Sequence, residues 1–194
     1  MVPIPLPLLR RRPPDLDRWR RAALSATQDV AGGWRHDTYR GVARAAGPEG
    51  FARARDALLT YCFFPPHRVT GTVDAPDGRI VLGTTIVQRI RVAFVGFESG
   101  TRVVALADGV DAAGRRFVRF SYATLDGHPE QGIATFGIAE TGRDGDLAIT
   151  IETRSRAAAW WSRLGWPLTR FLQLDTNRRV LARLAAIASG EVTA

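Results

Sequence analysis

The sequence predicts an α+β fold in which a curved antiparallel sheet of six to seven strands wraps around a long C-terminal helix. Short runs rich in β-branched and aromatic residues fill positions 67–154 and are separated by turn-forming residues. Apolar residues return to helical spacing after position 155. The alternation of strands and helices that accompanies a parallel sheet does not occur between them. These observations favour an antiparallel sheet and a helix that follows it.

The first 33 residues predict an arm and a helix, followed by a single domain over residues 34–190. The arm, Met1–Pro14, combines a Pro-interrupted apolar stretch with Arg10–Arg12. Such a segment suits either packing on the protein surface or weak contact with an anionic membrane surface. Asp15 after two Pro residues is a helix-start signal, and the apolar spacing extends this predicted helix to Gln28.

A second helix and the strands follow along the chain. A short strand or turn near His36–Gly41 precedes a predicted helix over Pro48–Tyr61, which Pro65-Pro66 terminates. The turn signals between the later runs include Ser99-Gly100. The predicted strands are His67–Asp74, Arg79–Ile90, Val92–Ser99, Thr101–Asp108, Arg115–Leu125, Gly132–Glu140 and Leu147–Arg154.

The last predicted element is a helix over Ser155–Ser189, which Pro167 is expected to kink or divide. Val118, Phe120 and Tyr122 share one face of their strand, as in an antiparallel sheet that is covered on one side. A helix laid across such a sheet is the helix-grip arrangement. It leaves an apolar cavity between sheet and helix, which is a natural ligand site.

Charge and composition limit the chemistry more than they identify a partner. All 27 basic residues are Arg, and the formal net charge is +8. Residues 1–21 hold six Arg and two Asp, residues 154–183 hold seven Arg and one acid, and the middle is near neutral. Positive charge at two separate ends is not the continuous basic stripe of a nucleic-acid binder, so no nucleic acid is expected. The absence of Lys excludes Schiff-base and Lys general-base chemistry by this chain.

No metal or cofactor is expected. The three His residues are scattered, and no dinucleotide fingerprint or P-loop occurs. The single Cys, Cys62, stands in apolar surroundings and is predicted to be buried. Because the chain has neither an 18-residue apolar run nor a secretory signal, it is expected to be cytoplasmic.

One segment resembles a known family. Residues 120–136, Phe-Ser-Tyr-Ala-Thr-Leu-Asp-Gly-His-Pro-Glu-Gln-Gly-Ile-Ala-Thr-Phe, resemble the block Tyr-Gly-Thr-Leu-Pro-Gly-His-Pro-Glu-x-Gly-Glu-Glu-x-Phe. That block marks a bacterial and plant family, domain of unknown function nineteen-ninety. Weaker matches extend the resemblance over residues 34–186. The family is similar in element order to START-like, polyketide-cyclase-like helix-grip proteins, which implies a ligand cavity. Ile133 and Ala134 depart from the block, since the family has two Glu there.

The candidate catalytic residues lie in and before this block. His128 and Glu130 are two apart, so on an extended segment their side chains point to the same side. A His with a pKa near 6.5 exchanges protons at neutral pH, and a Glu can orient it or act beside it. The alternative is that both residues cap backbone groups of a tight turn. Tyr122 would supply a hydroxyl, either to the cavity or at the surface of a half-buried strand.

Further residues are candidates for ligand contact, each with a structural alternative. These candidates lie on the Tyr122 strand, in a second polar cluster and on the closing helix. Each of them either lines the cavity or is an ordinary core or surface residue. The candidates are Thr124 and Phe120 on the strand, His36 and Tyr39 in the polar cluster, and Trp160 and Trp161 on the helix.

Two functions remain open. The first is binding of a small hydrophobic molecule with cofactor-free acid–base chemistry, such as a cyclisation, dehydration or isomerisation, in which positioning supplies much of the rate. The second is a non-catalytic binding protein for a lipid or other small molecule.

Overall fold

The computed structural model describes residues 4–25, 34–92, 94–157 and 166–194, without the side chains of residues 157 and 166–172. The described helices are α1 (Leu6–Arg11), α2 (Leu16–Arg21), α3 (Gly47–Leu59) and α4 (Trp166–Ser189). The described strands are β1 (Ile4–Pro5), β2 (Arg35–Ala43), β3 (Val69–Val73), β4 (Thr85–Val92), β5 (Val95–Val110), β6 (Arg116–Thr124), β7 (Glu130–Glu140) and β8 (Leu147–Ala157).

The strands form one antiparallel sheet in the order β2-β8-β7-β6-β5-β4-β3, and β1 pairs with β5 outside this path. Strands β3 to β8 each pair with their neighbour in sequence, whereas β2 pairs with the distant β8, from Arg35 opposite Ser155 to Ala43 opposite Leu147. Helix α4 packs against β2, β8 and α3. The predicted α+β architecture, a curved antiparallel sheet around a long C-terminal helix, is therefore confirmed.

The main core fills the space between the sheet and helices α3 and α4. Its centre is aromatic: Phe120 and Phe136 stack with ring centroids 5.5 Å apart, and Phe63 lies 4.9 Å from Phe136. Helix α3 contributes Phe51, Ala54 and Leu58, and α4 contributes Val180, Leu184 and Ile187. These buried apolar side chains hold the two helices against the same face of the sheet.

The N-terminal segment covers the opposite face of strands β4 and β5. Trp19 is completely buried there with Val87 and Leu125. A Cβ on Gly100 would lie 2.3 Å from the Trp19 ring, so only Gly allows the indole this close. The predicted turn at Ser99-Gly100 is therefore wrong. Strand β5 runs through it, and Gly100 provides the close approach.

Two predicted helices have different bounds. Asp15 caps α2 as expected by accepting a hydrogen bond from the Arg18 backbone N–H at 3.0 Å, but the helix ends at Arg21. The chain turns away there because Leu24 forms a β-bridge with Leu125. At the other end, residues 155–157 belong to β8, and α4 is described from Trp166. Pro167 is its second described residue, and residues 158–165 lie outside the described part of the chain, so the expected kink or division at Pro167 stays a prediction.

Cys62 also differs from its prediction. The residue is exposed, and its Sγ lies 3.5 Å from the Thr60 carbonyl oxygen. The apolar neighbours in sequence, Phe63 and Phe64, are buried instead. After the last turn of α3 successive side chains point in different directions. The apolar residues that follow Cys62 in sequence are therefore buried while Cys62 itself is exposed.

We predict that Gly100→Ala lowers the free energy of unfolding by about 1–3 kcal/mol, because its Cβ overpacks the Trp19 site. Urea denaturation measures the change. Gly109→Ala is the matched control, since Gly109 lies on the same strand and its Cβ meets no described atom within 4 Å. Equal stability of the two variants would contradict the packing argument.

Candidate functional site

A cavity of about 450 Å³ lies between the sheet and α4. This volume falls in the range of small-molecule pockets, about 300–1,000 Å³. Most of the wall surface is apolar. Polar side chains from β4, β6, β7, β8 and α4 interrupt it, and the cationic Arg68 and Arg91 also line the cavity. The apolar lining includes Phe64, Val69, Ile90, Val92, Val95 and Phe97, and the polar lining includes Gln88, Tyr122, Thr124, His128, Glu130 and Gln173.

The structure brings four of the sequence-predicted site residues to this cavity. Tyr122 and Thr124 reach it from the end of β6, and His128 and Glu130 from the turn and start of β7. They meet because β6 and β7 are neighbours in the sheet and Tyr122 lies opposite Ala134. Their catalytic or binding roles stay predictions.

The other predicted contacts lie elsewhere. His36 is exposed on β2, and Tyr39 packs against the main core without lining the cavity. Phe120 is fully buried in the aromatic core and is also outside the lining. These three residues therefore lie outside the lining of this cavity, and their contact with a ligand stays a prediction. Trp160 and Trp161 lie outside the described residues.

His128 is held by its own turn. Its backbone N–H donates to the Leu125 carbonyl at 3.0 Å, and its Nδ1 lies 3.0 Å from the backbone N and 2.8 Å from the backbone O of Glu130. Burial lowers the pKa of His128 to about 4, against a smaller opposing effect of the Glu130 backbone. The expected pKa near 6.5 is therefore wrong. At neutral pH the ring is uncharged and anchored at Nδ1, so Nε2 is its free nitrogen for a ligand.

Glu130 and Thr124 are also tied into the framework. Gln173 on α4 donates from Nε2 to the Glu130 carboxylate at 2.6 Å, which links β7 to the helix across the cavity. The Thr124 hydroxyl accepts from the Gly132 backbone N–H at 2.9 Å and lies 2.7 Å from the Ser25 hydroxyl. Thr124 is thus occupied by structural hydrogen bonds, unlike the freely presented hydroxyl that its strand position predicted.

Tyr122 belongs to a buried polar cluster that sequence reasoning missed. Gln88 donates from Nε2 to the Tyr61 hydroxyl at 2.6 Å, and its Oε1 lies 3.5 Å from the Ser99 hydroxyl. Burial raises the pKa of both Tyr61 and Tyr122, so both phenols are neutral at physiological pH. The only sequence signal was the position of Gln88 between Ile86 and Ile90 on the inner face of β4.

The departure from the family block falls on the cavity wall. Gly132, Ile133 and Ala134 all line the cavity. A Cβ on Gly132 would lie 2.5 Å from the Arg154 carbonyl oxygen, so Gly132 serves close strand packing. With Ile and Ala in place of two Glu, this part of the wall is apolar.

No group of three or more His, Cys, Asp or Glu side chains among the described residues is placed to hold a metal ion. No described helix is long and apolar enough to cross a membrane.

A curved antiparallel sheet around a long C-terminal helix, with a cavity between them, defines a START-like helix-grip protein. The chain belongs to the family described as "Domain of unknown function (DUF1990)", whose model matches residues 20–183. This is the family that the Gly-His-Pro-Glu block resembles. No curated protein matches the chain in sequence.

Solved structures share the fold at low sequence identity. A hypothetical protein of Helicobacter pylori is similar with a TM-score of 0.57 and 8% identity, over 86% of this chain and 99% of that one. A protein of Thermus thermophilus gives 0.53 and 12%, over 83% and 100%. Truncated norcoclaurine synthase of Thalictrum flavum gives 0.49 and 14%, over 83% and 97%, and this weaker likeness supports no functional argument. The helix-grip fold itself is typical of proteins that bind hydrophobic ligands.

We predict that His128 makes the protein less stable in mild acid. Its pKa is lower in the folded state than in the unfolded chain, so the unfolded chain takes up a proton first as the pH falls. The His128 contribution is constant above about pH 6.5 and declines by on the order of 2–3 kcal/mol as the pH falls to about 4.

Urea denaturation at pH 7 and pH 4.5 measures this loss. His128→Gln should lose less stability than the wild type between the two pH values, and His67→Gln, which alters an exposed His, should match the wild type. Equal pH dependence of His128→Gln and the wild type would show that His128 is not buried in its neutral form.

Proposed function

We propose that the protein binds a small hydrophobic molecule in the cavity between the sheet and α4. The observation that carries this proposal is the 450 Å³ space, whose wall surface is mostly apolar, with polar groups that include Tyr122, His128 and Glu130. An apolar body gains free energy by leaving water, while a few polar groups select its orientation. Ile133 and Ala134, which stand where the family block has two Glu, add to the apolar part of this wall.

The finer proposal is a cofactor-independent enzyme of the cyclase, dehydratase or isomerase type. In this role Tyr122 donates a hydrogen bond to a developing negative charge, Glu130 exchanges a proton with the ligand, and neutral His128 offers Nε2. The His128 pKa of about 4 keeps the ring neutral at neutral pH, so it does not act as an imidazolium acid, and Nε2 donates or accepts a hydrogen bond according to the tautomer. The alternative is a binding protein without turnover, in which the same groups only orient the ligand.

We predict that Ala134→Phe strongly weakens ligand binding. Ala134 is buried on the cavity wall, so a phenyl ring there would fill the space that the ligand needs. Titration with the fluorescent probe N-phenyl-1-naphthylamine should show binding to the wild type and affinity at least about tenfold weaker for Ala134→Phe. Mass spectrometry of the purified proteins should find a co-purifying small molecule in the wild type alone.

The control is Ala107→Phe, which places the same ring at an exposed position of β5. Thermal unfolding tests whether Ala134→Phe is folded. Equal probe binding by wild type and Ala134→Phe would refute the cavity as the ligand site. Incubation of the recovered molecule with fresh protein separates the two functions: conversion that His128→Ala abolishes supports the enzyme, and an unchanged molecule supports the binding protein.

We also propose that the N-terminal arm makes weak contact with an anionic membrane surface. Leu8 and Phe94 are exposed by 54% and 88%, and the Leu6 backbone N–H donates to the Phe94 carbonyl at 3.2 Å, which brings helix α1 to the tip of the β4–β5 hairpin. Exposed Arg10–Arg12 follow on α1 and just after it. Apolar side chains beside cationic ones suit the boundary between acyl chains and anionic headgroups.

We predict that Phe94→Ser weakens binding to phosphatidylserine-containing vesicles about tenfold, because a Phe ring contributes roughly 1.5–3 kcal/mol when it leaves water. Vesicle sedimentation measures the bound fraction, and pure phosphatidylcholine vesicles should bind less protein. Leu82→Ser is the matched control, since Leu82 is 67% exposed in the loop before β4. Equal binding of both variants and the wild type would contradict the proposed surface.

A further inference from the structure

Two Arg side chains line the cavity from neighbouring positions of the sheet. Arg91 lies near the end of β4, and Arg68 stands directly before β3. The Arg91 backbone N–H donates to the Arg68 carbonyl at 2.8 Å, one residue beyond the register pair of Val69 and Ile90. Residues directly opposite on antiparallel strands point to the same face, where two like charges repel. The pairing therefore concentrates positive charge on one wall of a mostly apolar cavity.

Arg68 has a carboxylate partner on the helix. Its Nη2 donates to Asp175 Oδ2 at 3.2 Å, and the same oxygen accepts from Arg179 Nε at 2.8 Å. The Arg179 hydrogen bond, with the charges of Arg179, Arg68 and Arg178, lowers the pKa of Asp175, so this carboxylate is ionised at neutral pH. Asp175 therefore compensates the charge of Arg68.

Arg91 has no such partner among the residues that the structure describes. Its Nη1 donates to the Pro66 carbonyl, and its Nε is buried without a hydrogen-bond partner. None of the ion pairs formed within the described part of the chain includes Arg91. A partly buried cation without a counter-charge is costly. An anion in the cavity would offset this cost.

The other charged and polar groups around the cavity do not supply that anion. Glu130 lines the cavity, but it begins β7, three strands away from β4, about 14 Å along the sheet at the usual strand spacing. Its carboxylate accepts from Gln173. Helix α4 also contributes Thr176 and Asn177, which are neutral. The wall around Arg91 therefore has an excess of one positive charge.

We propose that the ligand is an amphipathic acid whose single carboxylate pairs with Arg91, while its apolar body fills the rest of the cavity. This inference rests on the proposed function, because it assigns a charged end to the hydrophobic molecule in the same cavity. The planar fork of a guanidinium matches the two oxygens of a carboxylate. A single negative charge balances Arg91, whereas the second charge of a phosphate monoester would be left beside Asp175 without a cation of its own.

The experiment compares two probes of nearly the same shape that differ in charge at pH 7, 2-naphthoic acid and 2-naphthamide. Calorimetry should show that the wild type binds the acid about ten- to a hundredfold more tightly than the amide, the effect of hydrogen bonds to a charged group. Arg91→Met keeps an unbranched apolar side chain and removes the charge. It should reduce this ratio to about one and largely keep the affinity for the amide.

Two further variants separate a local charge from the net charge of the chain. Arg119→Met is the matched control, since it removes one positive charge from a side chain that is 55% exposed on β6 and does not line the cavity. It should keep the wild-type ratio. Asp175→Asn should raise the ratio, because it removes the carboxylate that competes for Arg68.

A ratio of acid to amide affinity that stays the same in Arg91→Met would overturn the inference. If Arg91→Met fails to fold, the wild type and Asp175→Asn decide, and equal affinity of the wild type for acid and amide overturns it. 2-Naphthyl phosphate is doubly charged at pH 8 and should bind more weakly than the acid at that pH. Tighter binding of the phosphate would contradict a site for a single charge.

The two levels of proposal fail differently. Failure of 2-naphthoic acid, 2-naphthamide and N-phenyl-1-naphthylamine to bind would overturn the proposed function. Binding of N-phenyl-1-naphthylamine that Ala134→Phe blocks, without any preference for the acid over the amide, would overturn the carboxylate assignment and leave the hydrophobic cavity intact.

Discussion

The pairing of β2 with β8 is the constraint on which the rest of the structure depends. It joins two segments more than a hundred residues apart, Arg35–Ala43 and Leu147–Ala157, in one antiparallel ladder. Bringing such distant segments together costs conformational entropy. The burial of apolar side chains that the pairing makes possible offsets this cost. Because β2 leads toward α3 and β8 precedes α4, the ladder brings both helices to one face of the sheet, where their apolar sides form the core.

The cavity follows from the same arrangement. Near α3 the space between sheet and helix is filled by aromatic side chains such as Phe63, Phe120 and Phe136. Toward the β6–β7 turn this space is not filled by side chains and forms the cavity. Polar groups from the sheet and α4 face one another there, and the Gln173–Glu130 hydrogen bond joins the sheet to the helix. The site is thus the unfilled end of the core, and its polar groups are held by the elements that hold the fold.

Anchoring of these polar groups gives the site a defined character. His128 is kept neutral by burial and fixed at Nδ1, Thr124 is occupied by Ser25 and Gly132, and the Tyr122 ring packs beside Tyr61 and Phe136. Each of these side chains is therefore held in one position by its neighbours in the fold. Preorganisation of this kind suits selective binding, and it is also what acid–base catalysis requires of its groups.

The sequence by itself determined the architecture and part of the site, because periodicity and turn chemistry are local signals. Helix α3, the one-sided strand β6 and a run of antiparallel strands before a C-terminal helix could be predicted, and the Gly-His-Pro-Glu block indicated the turn where His128 and Glu130 lie. Local signals failed where contacts between distant segments determine the structure. Ser99-Gly100 has the composition of a turn, but Gly100 lies on a strand and leaves room for the Trp19 ring. Helix α2 ends earlier than predicted because Leu24 forms a bridge with Leu125. Only the tertiary structure placed Tyr61 and Gln88 behind Tyr122, excluded His36, Tyr39 and Phe120 from the cavity wall, and lowered the pKa of His128. Side-chain contacts and desolvation depend on neighbours that are remote in sequence, so the spacing of residues along the chain does not encode them.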